Sequence, residues 1–281
     1  MGGRGGDSGY KGSSIPEQFY SNGNKSIDDA ISYAKGMDGY NSQTAKVFTT
    51  LSDTIERLKA DGHEVEVEYV DFQNGETASG GYGVGILAAQ KEGGTIRAIL
   101  PDMSKTTDDF KPRAASVMAH ELTHLRDLAM AKGHKLGDLT RAEQMLQSKI
   151  PSISVDDVPK FVKDSFKHAS DEFKAKEKTS KDTFALIDRI TGKQRGGDQI
   201  HDVYDALTGG KYVNYQSKQS KGAIEWGHGT GYYISKGNRA KELIANYSSL
   251  KMFRPDLVRQ LRKDQPSLCK SLDQVMRELY G

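Results

Sequence analysis

Two histidines four residues apart, with a glutamate directly after the first, lie in the segment SVMAHELTHLRD at residues 116–127. In an α-helix four residues advance about 400°, so His120 and His124 would project from one face, one turn apart. Two imidazoles placed in this way can bind one zinc ion. Glu121 lies about 100° around the helix, from where it can take a proton from a water that the metal activates. The segment therefore predicts a metal-binding helix or, alternatively, an amphipathic helix with two surface histidines.

The sequence around the pair favours the metal-binding helix. Pro112 and Gly133 mark the ends of a predicted helix from about Lys111 to Lys132. Five apolar residues give this helix a surface to bury: Val117, Met118, Leu122, Leu125 and Leu128. With 7 histidines among 281 residues, a chance match to H-E-x-x-H is about a one-in-a-hundred event.

The chain before this helix predicts helices followed by a small sheet. Residues 26–61 have a helical pattern, in which apolar residues recur at three- and four-residue steps. The segment HEVEVEYVDF alternates apolar and acidic residues, which is typical of a half-buried strand. Two more strands are predicted in GGYGVGILAAQ and GGTIRAILPD, with a glycine-rich turn between them.

The chain after this helix predicts mainly further helices. A lysine-rich helical insertion covers residues 136–193 approximately, and its alternating charges favour a solvated helical face over a nucleic-acid surface. GDQIHDVYDALTGG predicts a short helix, and KYVNYQSKQSKGAIEWGHGTGYYISKGN predicts an aromatic, glycine-rich loop. Two helical segments follow, and the second is expected to break near Pro266.

Composition narrows the class of protein. No apolar run approaches the roughly 18 residues of a membrane helix, and the N-terminus has no secretory signal. Cys269 is the single cysteine, so no internal disulfide is expected. The net charge of +2 does not by itself argue for nucleic acid. We expect a flexible glycine-rich tail at residues 1–25 and a single domain at residues 26–281.

The predicted order of elements resembles the zincin metallopeptidases, with a helix, a small sheet, the HELTH helix and a later helix that carries a glutamate. The resemblance covers about residues 26–250. It implies an α+β, zincin-like fold in which a small, mainly antiparallel sheet packs on the HExxH active-site helix, with further helices C-terminal. It also implies that GGTIRAILPD or GGYGVGILA binds a substrate as an extra strand. The metzincin subclass is excluded, because Asp127 and Met130 stand where its pattern has glycine and histidine.

A catalytic zinc site usually has three protein ligands, so one more is expected beyond the two histidines. Glu242, in the run ELIA, resembles the gluzincin arrangement, in which a later helix supplies a glutamate. Asn246 stands where an acidic residue often follows in that arrangement, which leaves the support of a ligand histidine open. The alternative for Glu242 is an exposed glutamate near a helix N-terminus, where the helix dipole favours it.

The segment WGHGTGYY holds the remaining candidates. His228 is the rival third ligand, or it can donate a hydrogen bond to the oxyanion that forms as a carbonyl becomes tetrahedral. Tyr232 and Tyr233 can play the same donor role, as a tyrosine before the ligand glutamate does in some zincins, or can pack the loop onto the body. Asp202 and Asp205 are lesser candidates for orienting a ligand.

Four short stretches, MGGRG, DVYDALTGG, GHGTGYY and ELIANYSSL, are similar to zincin-like modules of phage and prophage minor head proteins and of associated toxins. This resemblance implies a phage or bacterial origin and action in the cytoplasm or in the virion. Peptides or proteins are the expected substrates, and phage capsid or portal proteins are possible partners. No membrane or nucleic-acid partner is expected.

Two hypotheses from different classes follow. In the first, the protein is a zinc metalloendopeptidase in which His120, His124 and Glu242 hold the metal. Glu121 is then the general base that takes a proton from the attacking water and returns it to the leaving amine. In the second, the protein is a non-catalytic phage head or assembly protein with a structural or vestigial metal site.

Overall fold

The computed structural model describes residues 24–71, 85–88, 94–131, 138–177, 198–222, 224–235 and 237–281. The predicted glycine-rich tail at residues 1–25 lies almost wholly outside these ranges, and so do residues 178–197 of the lysine-rich region. The described chain is α+β and mostly helical, with one small sheet, which confirms the predicted class.

Three helices precede the sheet: α1 (Lys25–Ala34), α2 (Lys46–Thr49) and α3 (Leu51–Ala60). The sequence predicts one helical stretch here, and the structure interrupts it with turns that include Gly39. A Cβ atom at Gly39 would lie 2.0 Å from the carbonyl oxygen of Lys251. Two backbone segments therefore approach so closely that only glycine fits, and glycine is a poor residue for a helix interior.

The sheet has the order β1–β3–β2, with β1 at Glu64–Val70, β2 at Gly85–Ala88 and β3 at Thr95–Pro101. β3 is parallel to β1 along the whole length of both strands, and it is antiparallel to the short β2. The prediction of a mainly antiparallel sheet is wrong, because the longer strand pair is parallel. β3 lies between β2 and β1 and runs in the direction of β1. The glycine-rich turn predicted between β2 and β3 lies outside the described residues, except for Gly94.

The position of β3 bears on where a substrate strand could pair. Both edges of β3 are already hydrogen-bonded to neighbouring strands. The segment GGTIRAILPD, which contains β3, therefore has no free edge for a substrate. β2 is an edge strand of the described sheet, so GGYGVGILA retains that possibility.

The helix predicted from the HELTH motif is α4 (Lys111–Met130), which begins at the predicted residue and ends two residues before the predicted Lys132. The later helices of the described chain are α5 (Arg141–Gln147), α6 (Lys160–Glu177), α7 (Asp198–Leu207), α8 (Lys211–Ser220), α9 (Gly229–Tyr232), α10 (Asn238–Phe253), α11 (Pro255–Asp264) and α12 (Pro266–Tyr280). The boundary between α11 and α12 confirms the predicted break near Pro266. None of the described helices is long and apolar enough to cross a membrane.

α4 lies in the centre of the core, packed against the sheet, α1, α3 and α10. A helix surrounded in this way must hydrogen-bond its polar side chains within the protein. Thr123 on α4 bonds to Ser248 on α10 at 2.9 Å and to Tyr280 on α12 at 3.0 Å. These contacts fix the register of α4 against α10, the two helices that carry the predicted metal ligands.

The segment after α7 differs from its prediction. Lys211–Ser220 is the helix α8, so the prediction of a loop that begins at residue 211 is wrong. The buried residues of α8 recur at helical spacing: Tyr212, Val213, Gln216 and Ser220. Only two of these four are apolar, so the pattern was hidden from a search for hydrophobic periodicity.

The lysine-rich region forms α5 and α6 in the described residues. α6 presents Lys160–Asp164 and Lys167–Asp171 as exposed ion pairs one turn apart, in line with a solvated helical face. Its opposite face forms a separate apolar cluster with the chain that follows α8: Phe166, Ala169, Phe173, Ile224 and Trp226. α6 therefore supports the base of the loop that leads to His228.

Candidate metal centre

Three side chains from α4 and α10 converge on one point. The Nε2 atoms of His120 and His124 lie 3.0 Å apart, and Oε2 of Glu242 lies 3.3 Å from the first and 3.6 Å from the second. Four ligands around a zinc ion with bonds of about 2.0–2.1 Å are separated by about 3.3 Å when their geometry is tetrahedral. The three atoms thus already have the spacing of a tetrahedral ligand set, and the group could hold a metal ion.

Glu242 is the most constrained member of this group. The residue is 2% exposed, and its Oε2 atom has no hydrogen bond of good geometry among the described residues, although three imidazole Nε2 atoms lie 3.3–3.6 Å from it. Its Oε1 atom accepts a hydrogen bond of 2.6 Å from the Tyr232 hydroxyl. A buried carboxylate oxygen without a partner is costly, unless a cation neutralises it. The donor set therefore fits a divalent cation, and the hypothesis of an exposed glutamate at residue 242 is wrong.

The pKa values of the three residues also fit a site for a cation. Burial alone would raise the pKa of Glu242, but the adjacent imidazoles hold it well below its ordinary value. Burial alone would lower the pKa of His120, but Glu242 and Glu121 raise it to about 9. Burial lowers the pKa of His124 to about 4. One proton on the imidazole pair thus balances the carboxylate, and a metal ion would displace that proton.

Glu121 follows His120 on α4 and is also buried. Burial raises the pKa of its carboxyl group, while the charges of His120, Lys241 and His228 oppose the rise. Glu121 thus lies beside the ligand group without belonging to it. A carboxylate in this position, with its pKa raised by burial, can accept a proton and return it. Since His124 is buried and the His120 side chain is only 14% exposed, the surface-histidine hypothesis for α4 is wrong.

The loop between α8 and α10 forms a second wall of the site. The Asp205 carboxylate accepts hydrogen bonds from the backbone N–H groups of Val213, His228 and Gly229, at 2.8, 3.1 and 3.0 Å. Gly227 has φ +133°, and a Cβ atom there would lie 2.6 Å from Oδ2 of Asp205. Asp205 thus holds the loop in place rather than orienting a metal ligand, and glycine at residue 227 lets the loop approach it.

This loop brings His228 to the ligand group but not into it. The His228 side chain is 40% exposed, and its Nε2 lies 3.4 Å from Oε2 of Glu242. His228 forms a second possible ligand group with Asp202 and Glu242. Because Oε2 of Glu242 faces His228 as well as the imidazole pair, the two groups compete for one oxygen. The geometry favours Glu242 as the third ligand of His120 and His124, with His228 at the rim.

The two tyrosines of the loop have different partners. Tyr232 stacks on the His228 ring with centroids 4.2 Å apart and donates its hydroxyl hydrogen to Glu242. Tyr233 is buried, and its hydroxyl donates to Oδ1 of Asp202 at 3.0 Å. Burial raises the pKa of both hydroxyl groups, which therefore remain donors. Tyr232 lies at the ligand group, whereas Tyr233 is turned toward Asp202.

Asn246 supports the site in a way that the sequence left open. Its Oδ1 atom lies 3.2 Å from Nδ1 of His120, and its Nδ2 donates to Oδ2 of Asp202 at 2.6 Å. Burial, followed by the charge of Glu242, raises the pKa of Asp202 to about 6. Asn246 follows Glu242 by four residues on α10, so helical spacing could have placed both on one face. The sequence named Asp202 as a lesser candidate for orienting a ligand, but no local signal joined it, on α7, to Asn246.

No family model, curated protein or solved structure matches this chain. The chemistry that the site can perform is set by the side chains that it brings together. Those are two imidazoles, a buried carboxylate with a bare oxygen, an adjacent acid and a loop with hydrogen-bond donors.

Proposed function

We propose that this protein is a zinc-dependent peptidase of the zincin type, with a gluzincin-like ligand set. The observation that carries the proposal is the bare, buried Oε2 atom of Glu242 facing the Nε2 atoms of His120 and His124. Zinc is the preferred ion because two imidazoles and one carboxylate are its common ligands in catalytic sites. The α+β class, with the motif on a buried helix, is compatible with a zincin-like fold.

In this proposal His120, His124 and Glu242 hold the ion. The chemistry that zinc supplies in such a site is the acidification of a water molecule and the polarisation of a carbonyl oxygen. Glu121 takes the proton of the attacking water and gives it to the departing amine, which keeps the proton balance of peptide hydrolysis. A glutamate directly beside the ligand group would have no such task in a purely structural site.

The loop between α8 and α10 contributes the hydrogen-bond donors. His228 is partly exposed beside the ligand group, so its imidazole can reach a substrate oxygen that gains charge as the carbonyl becomes tetrahedral. Tyr232 keeps Glu242 in position and can reach the same oxygen only by leaving that carboxylate. We therefore assign the oxyanion role to His228 first, Tyr232 second and Tyr233 last.

We further propose that the substrate is a peptide or protein bound in extended form along β2, the edge strand of the described sheet. Ile234 is 84% exposed and follows Tyr233 on the loop wall. It is the large apolar side chain that the described residues expose most. An apolar substrate side chain would cover it.

A phage or prophage association rests on the similarity of four short stretches. Three of them, DVYDALTGG, GHGTGYY and ELIANYSSL, supply residues to the candidate site, including Asp202, His228 and Glu242. MGGRG lies outside the described residues. Similarity that falls on one site is easier to explain by a shared function than similarity scattered over the chain. Capsid and portal proteins are the partners to test first.

Metal analysis and a peptide-library assay test the proposal together. We expect about one zinc per purified chain, lost in Glu242→Ala and retained in His228→Ala. We also expect hydrolysis of library peptides that a chelator abolishes and added zinc restores. Zinc without hydrolysis of any peptide would contradict the peptidase and support the non-catalytic head or assembly protein. No zinc after reconstitution would contradict the metal centre itself.

A further inference from the structure

A chain of two hydrogen bonds leads from His120 away from the ligand group. The Nδ1 atom of His120 faces Oδ1 of Asn246 at 3.2 Å, and Nδ2 of Asn246 faces Oδ2 of Asp202 at 2.6 Å. Both Asn246 and Asp202 are buried, so solvent does not complete their hydrogen bonds. The chain links α4, α10 and α7.

The direction of each hydrogen bond follows from what each group can donate. An ionised carboxylate only accepts, so Asp202 requires the NH2 group of Asn246 to face it. The amide oxygen of Asn246 must then face His120, and an amide oxygen only accepts. When His120 is neutral, as a metal ligand must be, it therefore carries its proton on Nδ1. Its Nε2 lone pair is left for the ligand group, where the histidine must act as an acceptor toward a metal.

We infer that Asp202 is a positioning residue that fixes the tautomer of His120 through the amide of Asn246. The inference rests on the proposed metal centre. Asparagine alone could not do this, because the two orientations of its amide have the same shape and differ only in their hydrogen bonds. Asp202 itself cannot easily turn, since its Oδ1 accepts from Tyr233 at 3.0 Å while its Oδ2 accepts from Asn246.

Zinc affinity of purified, folded variants tests this role. Asp202→Ala removes the group that orients the amide, and we expect zinc to bind about 10–100-fold more weakly, as measured by competition with a chelating dye. Asp127→Ala is the matched control. It removes another buried acid, one that lies on α4 and accepts from Thr140 at 2.9 Å, with no bond to the chain described above. We expect its zinc affinity to be that of the wild type.

A swap of the two side chains separates positioning from packing. In Asp202→Asn with Asn246→Asp, the new carboxylate accepts from His120 directly and from the amide at residue 202, whose oxygen can accept from Tyr233. Every hydrogen bond is kept, so we expect near wild-type zinc affinity. Asn246→Asp alone sets two carboxylates against each other and should bind zinc more weakly than the double variant. A structural role for Asp202 would give no such recovery.

Two results would overturn the inference: unchanged zinc affinity in a folded Asp202→Ala protein, or a folded double variant no better than Asn246→Asp. Either would leave the peptidase proposal untouched. Conversely, wild-type protein that binds zinc but cleaves no peptide would end the peptidase proposal, while the effect of Asp202 on zinc affinity would still be measurable.

Discussion

Two buried carboxylates of this molecule have the same local arrangement and opposite surroundings. Glu242, in the candidate ligand group, and Asp127, near the C-terminal end of α4, each have one oxygen without a hydrogen bond of good geometry in the described chain. The other oxygen of each accepts one hydroxyl hydrogen, from Tyr232 and Thr140 respectively. The difference lies in what faces them. Imidazoles surround Glu242, whereas the charge that acts most strongly on Asp127 is that of Glu143.

The two surroundings drive the protons in opposite directions. Burial alone would raise the pKa of both groups, but the imidazoles hold that of Glu242 well below its ordinary value. At Asp127, burial and the charge of Glu143 raise the pKa to about 7. A bare oxygen on a buried carboxylate thus indicates a cation only where nitrogen ligands face it. Elsewhere the same oxygen takes up a proton.

The largest expected effect is on metal binding. Glu242→Gln keeps the shape of the side chain but removes its charge. Zinc affinity should therefore fall by more than roughly 100-fold, which is the upper end for substitutions of residues that hydrogen-bond to a metal ligand. Asp127→Asn, the same change at the other carboxylate, should leave zinc affinity unaltered. Equilibrium dialysis against a zinc buffer measures both. Equal losses in the two variants would show that a general loss of folding, rather than ligation, explains the result.

The next effect concerns a third buried carboxylate, Glu121. It lies beside the metal group without belonging to it, so Glu121→Gln should bind zinc like the wild type. Peptide hydrolysis should fall by about 10²–10⁴-fold, the usual contribution of a general base. Steady-state assays on zinc-loaded protein would measure this. Cleavage at the wild-type rate would remove Glu121 from the mechanism, whereas loss of zinc would make it a ligand.

These residues differ in how far the sequence could predict them. The pair His120 and His124, with Glu121, follows from helical spacing alone, because all three belong to one helix. Glu242 required a family resemblance, since it lies on a different helix. The link from Asp202 to Asn246 could not be predicted, because it depends on how α7 packs against α10. The strand order of the sheet could not be predicted for the same reason, because the position of β3 between β1 and β2 depends on pairing between distant parts of the chain.

A smaller expected effect, on the free energy of unfolding, tests the proton on Asp127. The pKa of Asp127 is about 7 in the folded protein and 3.8 ordinarily, so the folded state binds more protons between these values. The free energy of unfolding should therefore fall as pH rises from about 4 to 7. Asp127→Asn removes this dependence. It should be more stable than the wild type above pH 7, by up to about 4 kcal/mol, and equally stable near pH 4.

Urea unfolding at pH 4, 6 and 8 would measure that difference. The charged groups around Asp127 are Glu143 and Lys241, and a cavity of about 280 Å³ beside it is also lined by Arg141 and Glu278. Glu143→Gln is the control, because it removes the like charge that helps to raise the pKa of Asp127. The stability gap between the two proteins should shrink in that background. A gap of equal size at all three pH values would contradict the proton on Asp127.

The smallest expected effect concerns the hydroxyl that satisfies the other oxygen of Glu242. Tyr232→Phe removes the 2.6 Å hydrogen bond to Oε1 and leaves the stacking on His228 in place. Glu242 would lose one restraint but no charge, so zinc affinity should fall by less than about tenfold. Tyr247→Phe is the control, because it removes a hydroxyl from the same helix as Glu242, but one that donates to Asp273 at 2.9 Å. If Tyr232→Phe lowers kcat while zinc affinity stays unchanged, the hydroxyl acts on the substrate oxygen instead. In that case Tyr232 would bond to Glu242 only in the absence of substrate, and Tyr232 rather than His228 would be the first candidate for the oxyanion donor.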